Sequence, residues 1–131
     1  MQELPMSGLY IVTLNNEQLI SVNAHDKRRA DRVIKVNKDN CKFGKANILS
    51  ARRENYYKTF GKENVNFKAL VLLEDIQKAE TLILRELDQY RIRSNSGRKN
   101  EWLAGVSPSQ VEKIIFQCLD VNGFTYYPAA E

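Results

Sequence analysis

The sequence has little of what many catalytic and structural sites are built from. It contains one histidine, His25, and two cysteines, Cys41 and Cys118. Two cysteines make neither a disulfide scaffold nor a zinc site. A lone histidine in a charged stretch argues against Ser-His-Asp and Cys-His catalysis. The cysteines are therefore expected to be buried, reduced thiols, as in a protein that works inside the cell.

Long apolar runs are also missing. The longest uninterrupted one spans Ala69 to Leu73, whereas a helix needs about 20 apolar residues to cross a bilayer. The first residues show no basic flank followed by an apolar stretch, which is the pattern of a secretory signal. We expect an intracellular, cytoplasmic protein with no membrane partner.

The charge is small in total but uneven along the chain. The 131 residues carry a formal charge of +4, with 43% hydrophobic and 27% charged residues, as expected for a single globular domain over 1–131. From His25 to Lys58 there are 11 basic and 4 acidic residues, a net of +7, and the remainder holds 9 basic and 12 acidic residues, a net of −3. A positive surface of this kind attracts phosphate.

The residue pattern predicts a mixed α/β domain (α+β) with a small sheet. β-Rich or apolar stretches predict strands, helical periodicity with capping residues predicts helices, and residues 19–23 fit either a hairpin strand or a loop. The polar stretch 94–105 is expected to be a loop, and the tail 120–131 a turn followed by a terminal strand or a docked tail. The predicted strands are 8–14, 41–44 and 67–73, and the predicted helices are 26–36, 48–60 (ended by Gly61), 75 to about 90, and 107–119.

One carboxylate falls on the apolar side of a predicted helix. At 100° per residue, Glu80 projects among Ile76, Leu84 and Leu87. A carboxylate in such a place is costly unless a cation, a metal ion or hydrogen-bond donors satisfy it. Glu80 is therefore a candidate functional residue.

A cation has the same unusual position on the preceding helix. Arg52 projects between Ile48 and Tyr56, and Arg52 and Tyr56 are four residues apart, so both can address one spot. Two interpretations stay open from this pattern alone. Arg52 and Glu80 either form a buried core ion pair without chemistry or belong to a site.

The ordered set of motifs resembles the GIY-YIG nuclease superfamily, and in particular its small phage or virus members. Gly8-Leu9-Tyr10 is similar to the first signature, and Lys42-Phe43-Gly44 to the second. Arg52 follows eight residues after Gly44, and Glu80 lies on the next helix. The resemblance covers about residues 7–103. It implies a small, mainly antiparallel three-stranded sheet flanked by helices, with an insertion between the two signature strands.

The resemblance also implies roles for single residues. Glu80 would bind one Mg²⁺ or Mn²⁺ ion, and Arg52 would donate hydrogen bonds to the phosphate. Tyr10, kept acidic by nearby cations, would contact or deprotonate the attacking water. The implied catalytic set is Tyr10, Lys42, Arg52, Tyr56, Glu80 and a late asparagine, for which Asn95 is preferred to Asn100 by its spacing.

DNA is the expected partner, with or without cleavage. The leading hypothesis is a metal-dependent DNA endonuclease, and the alternative is a non-catalytic DNA-binding module on the same fold. A third interpretation is an interaction or structural domain in which Arg52 and Glu80 close on each other in a dry core. The basic residues expected to contact nucleic acid are Lys27, Arg28, Arg29, Arg32, Lys45, Arg53, Arg98 and Lys99.

Overall fold

The computed structural model describes residues 4–22 and 33–129. Within them, the mixed α+β class is confirmed, with three helices and a mostly antiparallel main sheet. The strands are β1 (Gly8–Leu14), β2 (Ile20–Val22), β3 (Ile34–Val36), β4 (Cys41–Ala46), β5 (Val65–Leu72), β6 (Arg91–Arg93), β7 (Lys99–Leu103) and β8 (Tyr127–Pro128). The helices are α1 (Leu49–Phe60), α2 (Ile76–Glu86) and α3 (Pro108–Val121).

The main sheet has six strands in the order β6-β7-β4-β1-β5-β8, and β2 and β3 form a separate hairpin. The prediction of a three-stranded sheet is therefore wrong in strand number. Strands β1, β4 and β5 are the three that were expected. One of the strands that were not expected, β7, lies in the polar stretch 94–105. It forms part of the sheet because its Asn100, Trp102 and Leu103 side chains are buried on the two faces.

Each face of the sheet buries its own apolar cluster. Helices α2 and α3 pack on one face, around Phe43, Ile83 and Ile115. Helix α1 and the β2–β3 hairpin cover the other face, around Val12 and Trp102. The alternation of side chains along β1 explains this, since Leu9 and Ile11 enter the first cluster while Tyr10 and Val12 enter the second.

The helix ends follow local chemistry. Ser107 and Gln110 form a capping box at the start of α3. The Asp75 side chain accepts a hydrogen bond from the Lys78 backbone N–H at the start of α2. Gly61 ends α1 with a φ of 88°, as predicted from its lack of a side chain. Helix α2 ends at Glu86, earlier than the predicted Tyr90.

The basic segment predicted as a helix over 26–36 is corrected in part. Residues 34–36 form strand β3, which pairs with β2. Alternating burial of Ile34 and Val36 around exposed Lys35 accounts for the strand. Residues 23–32 lie outside the described residues. Across the described ranges, no helix combines the length and the apolar character required to span a membrane.

Candidate active site

Tyr10 lies at the centre of the sheet, opposite Gly44 of β4. Its ring crosses the glycine so closely that a Cβ on Gly44 would come within 3.0 Å of three Tyr10 side-chain atoms. The other face of the ring stacks on Phe67, with the centroids 4.7 Å apart. Gly44 is therefore needed for space, because its missing side chain is the slot that Tyr10 occupies.

A second tyrosine completes a buried pair. The Tyr10 and Tyr56 hydroxyls are 2.8 Å apart and hydrogen-bonded, and Tyr10 is only 1% exposed. Burial raises the pKa of Tyr10 above its usual 10.0, and the opposing effects of Tyr56 and Arg52 do not overcome it. Burial, followed by the neighbouring Tyr10, raises the pKa of Tyr56 strongly. The expectation that cations keep Tyr10 acidic is wrong, because desolvation dominates.

Arg52 approaches the tyrosine pair from α1. It lies one helical turn before Tyr56, and its hydrogen bond and charge both act on the Tyr10 phenol. The Arg52 residue as a whole is exposed to solvent. The prediction of a buried Arg52 is therefore wrong, because Arg52 lies at the open rim of α1, of which only Leu49 and Tyr56 are buried.

Glu80 has the cation that its position required, but the cation is not Arg52. The Lys45 ammonium lies 2.8 Å from the Glu80 Oε1 atom, and the two side chains are 30% and 16% exposed. Lys45 comes from β4, whose backbone places it opposite Leu9. The third interpretation, a closed Arg52–Glu80 pair in a dry core, is not what the structure contains.

These side chains border one groove. A cavity of about 330 Å³ is lined by Tyr10, Lys42, Lys45, Arg52 and Glu80. An adjoining cavity of about 310 Å³ shares Lys42 and Arg52 with it and continues along α1 past Tyr56. The Lys42 ammonium lies 5.1 Å from the centroid of the Tyr56 ring, a cation–π contact. Five of the six predicted catalytic residues therefore meet.

The exception is Asn95. It lies exposed in the turn between β6 and β7 and borders neither cavity. Asn100 is 6% exposed and lines the adjoining cavity. The Asn100 side-chain oxygen accepts hydrogen bonds from the backbone N–H groups of Glu101 and Trp102, at 2.8 and 3.3 Å. Spacing favoured Asn95, whereas the pairing of β7 with β4 brings Asn100 to the site.

Glu101 is a groove residue outside the predicted catalytic set. It borders both cavities, and its negative charge contributes to raising the pKa of Tyr56. Its neighbour Trp102 pairs in register with Lys42, and this pairing of β7 with β4 brings Glu101 to the groove. The groove therefore has two carboxylates, Glu80 and Glu101.

The residues expected to contact nucleic acid are scattered. Lys27, Arg28, Arg29 and Arg32 lie outside the described residues. Lys45 borders the groove, while Arg98 is exposed beyond the β6–β7 turn.

Two further members of that set have partners elsewhere. The Lys99 ammonium binds Asp88 at 2.6 Å, and its hydrogen bond lowers the pKa of that carboxyl group. Arg53 borders a separate cavity of about 610 Å³ beside Tyr57, and it lies 3.6 Å from Glu54. Neither lines the groove.

The groove combines cationic side chains with two carboxylates. Arg52 and Lys42 are donors suited to phosphate oxygens. Within 4–22 and 33–129, no three His, Cys, Asp or Glu residues converge on a common metal site. A Mg²⁺ ion commonly keeps several waters and uses only one or two carboxylates plus phosphate oxygens. Glu80, with Glu101 on the same groove, matches that type of donor set.

Comparison with known proteins corrects the family assignment. A family model described as the T5orf172 domain matches residues 23–119, and this is a different family from the GIY-YIG superfamily, for which there is no match. The GIY-YIG assignment from short motifs is therefore wrong. No curated protein and no solved structure matches the chain.

Proposed function

The chain belongs to the T5orf172 domain family, a phage-type nuclease or DNA-binding family, and from this premise we propose that it is a metal-dependent DNA endonuclease. The observation that carries the proposal is the groove itself. Two cations, Lys42 and Arg52, a hydrogen-bonded tyrosine pair and the carboxylate of Glu80 line one connected space.

Arg52 and Lys42 bind the scissile phosphate in this proposal. Arg52 is an exposed residue at the rim of the groove, and its guanidinium can offer a planar fork to two non-bridging oxygens. Lys42 adds a second positive charge above the Tyr56 ring. In a partly enclosed groove, both charges stabilise the negative charge that develops during hydrolysis more strongly than they would in open water.

Glu80 is the residue proposed to hold Mg²⁺ or Mn²⁺. Its side chain is 16% exposed and faces the groove that would contain the phosphate. When bound, such an ion polarises the phosphate and lowers the pKa of a coordinated water. Glu101 borders the same space and supplies a second carboxylate for the ion's water shell or for an incoming proton.

The two tyrosines act as neutral hydrogen-bonding groups. Because burial raises the pKa of both phenols, both keep their protons at neutral pH. Tyr10 therefore orients the attacking water or a phosphate oxygen rather than removing a proton as phenolate. Tyr56 holds the Tyr10 hydroxyl in place through their 2.8 Å hydrogen bond.

The second candidate function is DNA binding without cleavage. The Lys45–Glu80 ion pair favours it, because an ammonium 2.8 Å from Oε1 already satisfies the carboxylate that a metal ion would need. Under this alternative, Lys42 and Arg52 bind phosphate and no bond is cut. DNA affinity would then fall steeply with salt and would not change when a chelator is added.

Cleavage of supercoiled DNA with Mg²⁺ or Mn²⁺ separates the two functions. We expect nicking by the parent protein, and a loss of at least about a hundredfold for Glu80→Ala and Arg52→Ala. Glu112→Ala is the matched control for the carboxylate, because Glu112 pairs with Lys68 at the same 2.8 Å outside the groove. Arg53→Ala is the control for the arginine.

Two outcomes decide between the candidates. Salt-sensitive DNA binding by a folded parent protein that never cuts with either metal ion supports the binding module. Undiminished cleavage by Glu80→Ala contradicts the assigned metal site.

A further inference from the structure

Lys45 is bound to Glu80 at the groove. The Lys45 Nζ atom donates a hydrogen bond of 2.8 Å to Glu80 Oε1. Both residues border the cavity with Arg52 and Tyr10. Anything positively charged that binds Glu80 from the groove therefore meets this cation beside the carboxylate.

The Lys45 backbone is fixed, whereas its ammonium can move. Strand β4 pairs Lys45 with Leu9 in the middle of the sheet. The side chain is 30% exposed, and a lysine stem of four methylene groups carries its charge through several rotamers at little cost. A short reorientation is enough to transfer the ammonium from Glu80 to another anion in the same groove.

A divalent cation and the Lys45 ammonium compete at Glu80. The ammonium engages Oε1, one of the two carboxylate oxygens, and two neighbouring positive charges repel each other in a partly enclosed space. The ammonium leaves readily only if it finds a new anion. A DNA phosphate held by Arg52 and Lys42 is such an anion.

We propose that Lys45 is a positioning residue that exchanges its ammonium between Glu80 and a DNA phosphate, so that divalent metal ion and DNA bind the groove cooperatively. This inference rests on the proposed endonuclease function. Without DNA, the ion pair lowers the affinity of Glu80 for the metal ion. When DNA binds, the ammonium moves to a phosphate and the Glu80 carboxylate can bind the ion. The metal site is then completed only when a phosphate is present to be cut.

Mn²⁺ binding without DNA, followed by electron paramagnetic resonance, tests the first half of the proposal. Removing the ammonium in Lys45→Met or Lys45→Gln should tighten Mn²⁺ binding roughly three- to tenfold. Lys68→Met is the matched control and should leave the affinity unchanged, because Lys68 has an equally short pair with Glu112 outside the groove. Circular dichroism verifies that each variant is folded.

The same titration with a phosphorothioate DNA duplex, which keeps the phosphate charge and resists hydrolysis, tests the second half. DNA should tighten Mn²⁺ binding by the parent protein at least about threefold, and Mn²⁺ should tighten DNA binding by the same factor. In Lys45→Met this gain should be clearly smaller than in the parent protein, because the ion pair no longer links the two ligands and only the direct contact between the ion and the phosphate remains. An equal gain in the two proteins would refute the exchange.

Glu80→Ala distinguishes failure of this inference from failure of the proposed function. If Glu80→Ala abolishes Mn²⁺ binding while Lys45→Met binds no more tightly than the parent, the exchange is refuted and the metal site stands. If Glu80→Ala binds Mn²⁺ like the parent, the metal site itself is refuted.

Discussion

Gly44→Ala tests the packing that creates the site. An added methyl group would come within 3.0 Å of three atoms at the far end of the Tyr10 side chain. Tyr10 cannot retreat, since it is 1% exposed, stacks on Phe67 and is hydrogen-bonded to Tyr56. The Gly44 backbone itself is compatible with alanine, because its φ is not in the left-handed region.

The expected loss of unfolding free energy in Gly44→Ala follows from this rigidity. Inserting a methyl group into a packed interior costs about 1–3 kcal/mol. With three atoms overlapping and the ring held by Phe67 and Tyr56, Gly44→Ala should lie near the upper end, at about 3 kcal/mol of unfolding free energy. Cleavage should fall as well, because the displaced Tyr10 hydroxyl loses its bond to Tyr56.

Urea denaturation of a double-mutant cycle is the assay. The three overlapping atoms are absent from leucine, so in the Tyr10→Leu background Gly44→Ala should cost less than about 1 kcal/mol. Gly97→Ala is the control. Gly97 has a φ of 84° and nothing within 4 Å of an added Cβ, so its cost, about 1–2 kcal/mol, should be the same in both backgrounds.

One result would refute the reasoning. If Gly44→Ala costs the same with tyrosine and with leucine at position 10, then contact between the two side chains is not why glycine stands opposite Tyr10. The loss would then arise in the backbone of β4.

Three further predictions concern the rest of the fold and site. Ser107→Ala should lower the unfolding free energy by about 1 kcal/mol in urea denaturation, because the Gln110 backbone N–H loses the Ser107 hydroxyl as its acceptor. Burial raises the pKa of the Cys41 thiol from 9.0 to about 11. The neutral thiol thus stabilises the fold below pH 9, and this contribution, about 2–3 kcal/mol at most, is lost as the pH rises towards 11. Urea denaturation at several pH values should show that the free energy of unfolding falls less steeply with rising pH in Cys41→Ala than in the parent protein. Asn95→Ala should cleave DNA like the parent, whereas Asn100→Ala should be impaired in stability and cleavage; equal activity of the two variants would contradict the placement of Asn100 at the site.

The surroundings of Tyr10 show why nearby charge is a poor guide to pKa. Arg52 lowers the pKa of Tyr10 through both its charge and a hydrogen bond, yet the pKa stays above 10.0 because burial dominates. An isolated anion at that depth would lose most of its hydration. A mechanism with Tyr10 as a phenolate is therefore disfavoured, and Glu101 becomes the better candidate for accepting a proton.

Local elements could be predicted because their causes are local. A β-rich stretch forms β1, the Ser107 capping box marks the start of α3, and Gly61, which has no side chain, ends α1. Helical projection also identified Glu80 as a residue that needs a partner. It could not identify the partner, because Lys45 is 35 residues away and comes from a strand.

The sequence interpretation was wrong where the structure depends on pairing between distant strands. The sheet has six strands because β7, in a polar stretch, pairs with β4 and with β6, and because β8 pairs with β5. The first of these pairings is the one that matters for the site. That pairing brings Asn100 and Glu101 to the groove. The family assignment failed for a related reason, since tripeptide motifs are short enough to resemble several families, whereas the T5orf172 match extends over 23–119.

The sequence by itself determined that the chain forms a mixed α+β domain, that positive charge concentrates between residues 25 and 58, and that Glu80 lies where an ordinary helix surface does not place a charge. Only the tertiary structure decided which groups meet. In the folded chain, Lys45 forms an ion pair with Glu80, Arg52 borders the groove, and Tyr10 is buried against Gly44. The physical reason is that helix and strand periodicity sets which way a side chain faces, whereas the pairing of distant strands sets what it faces.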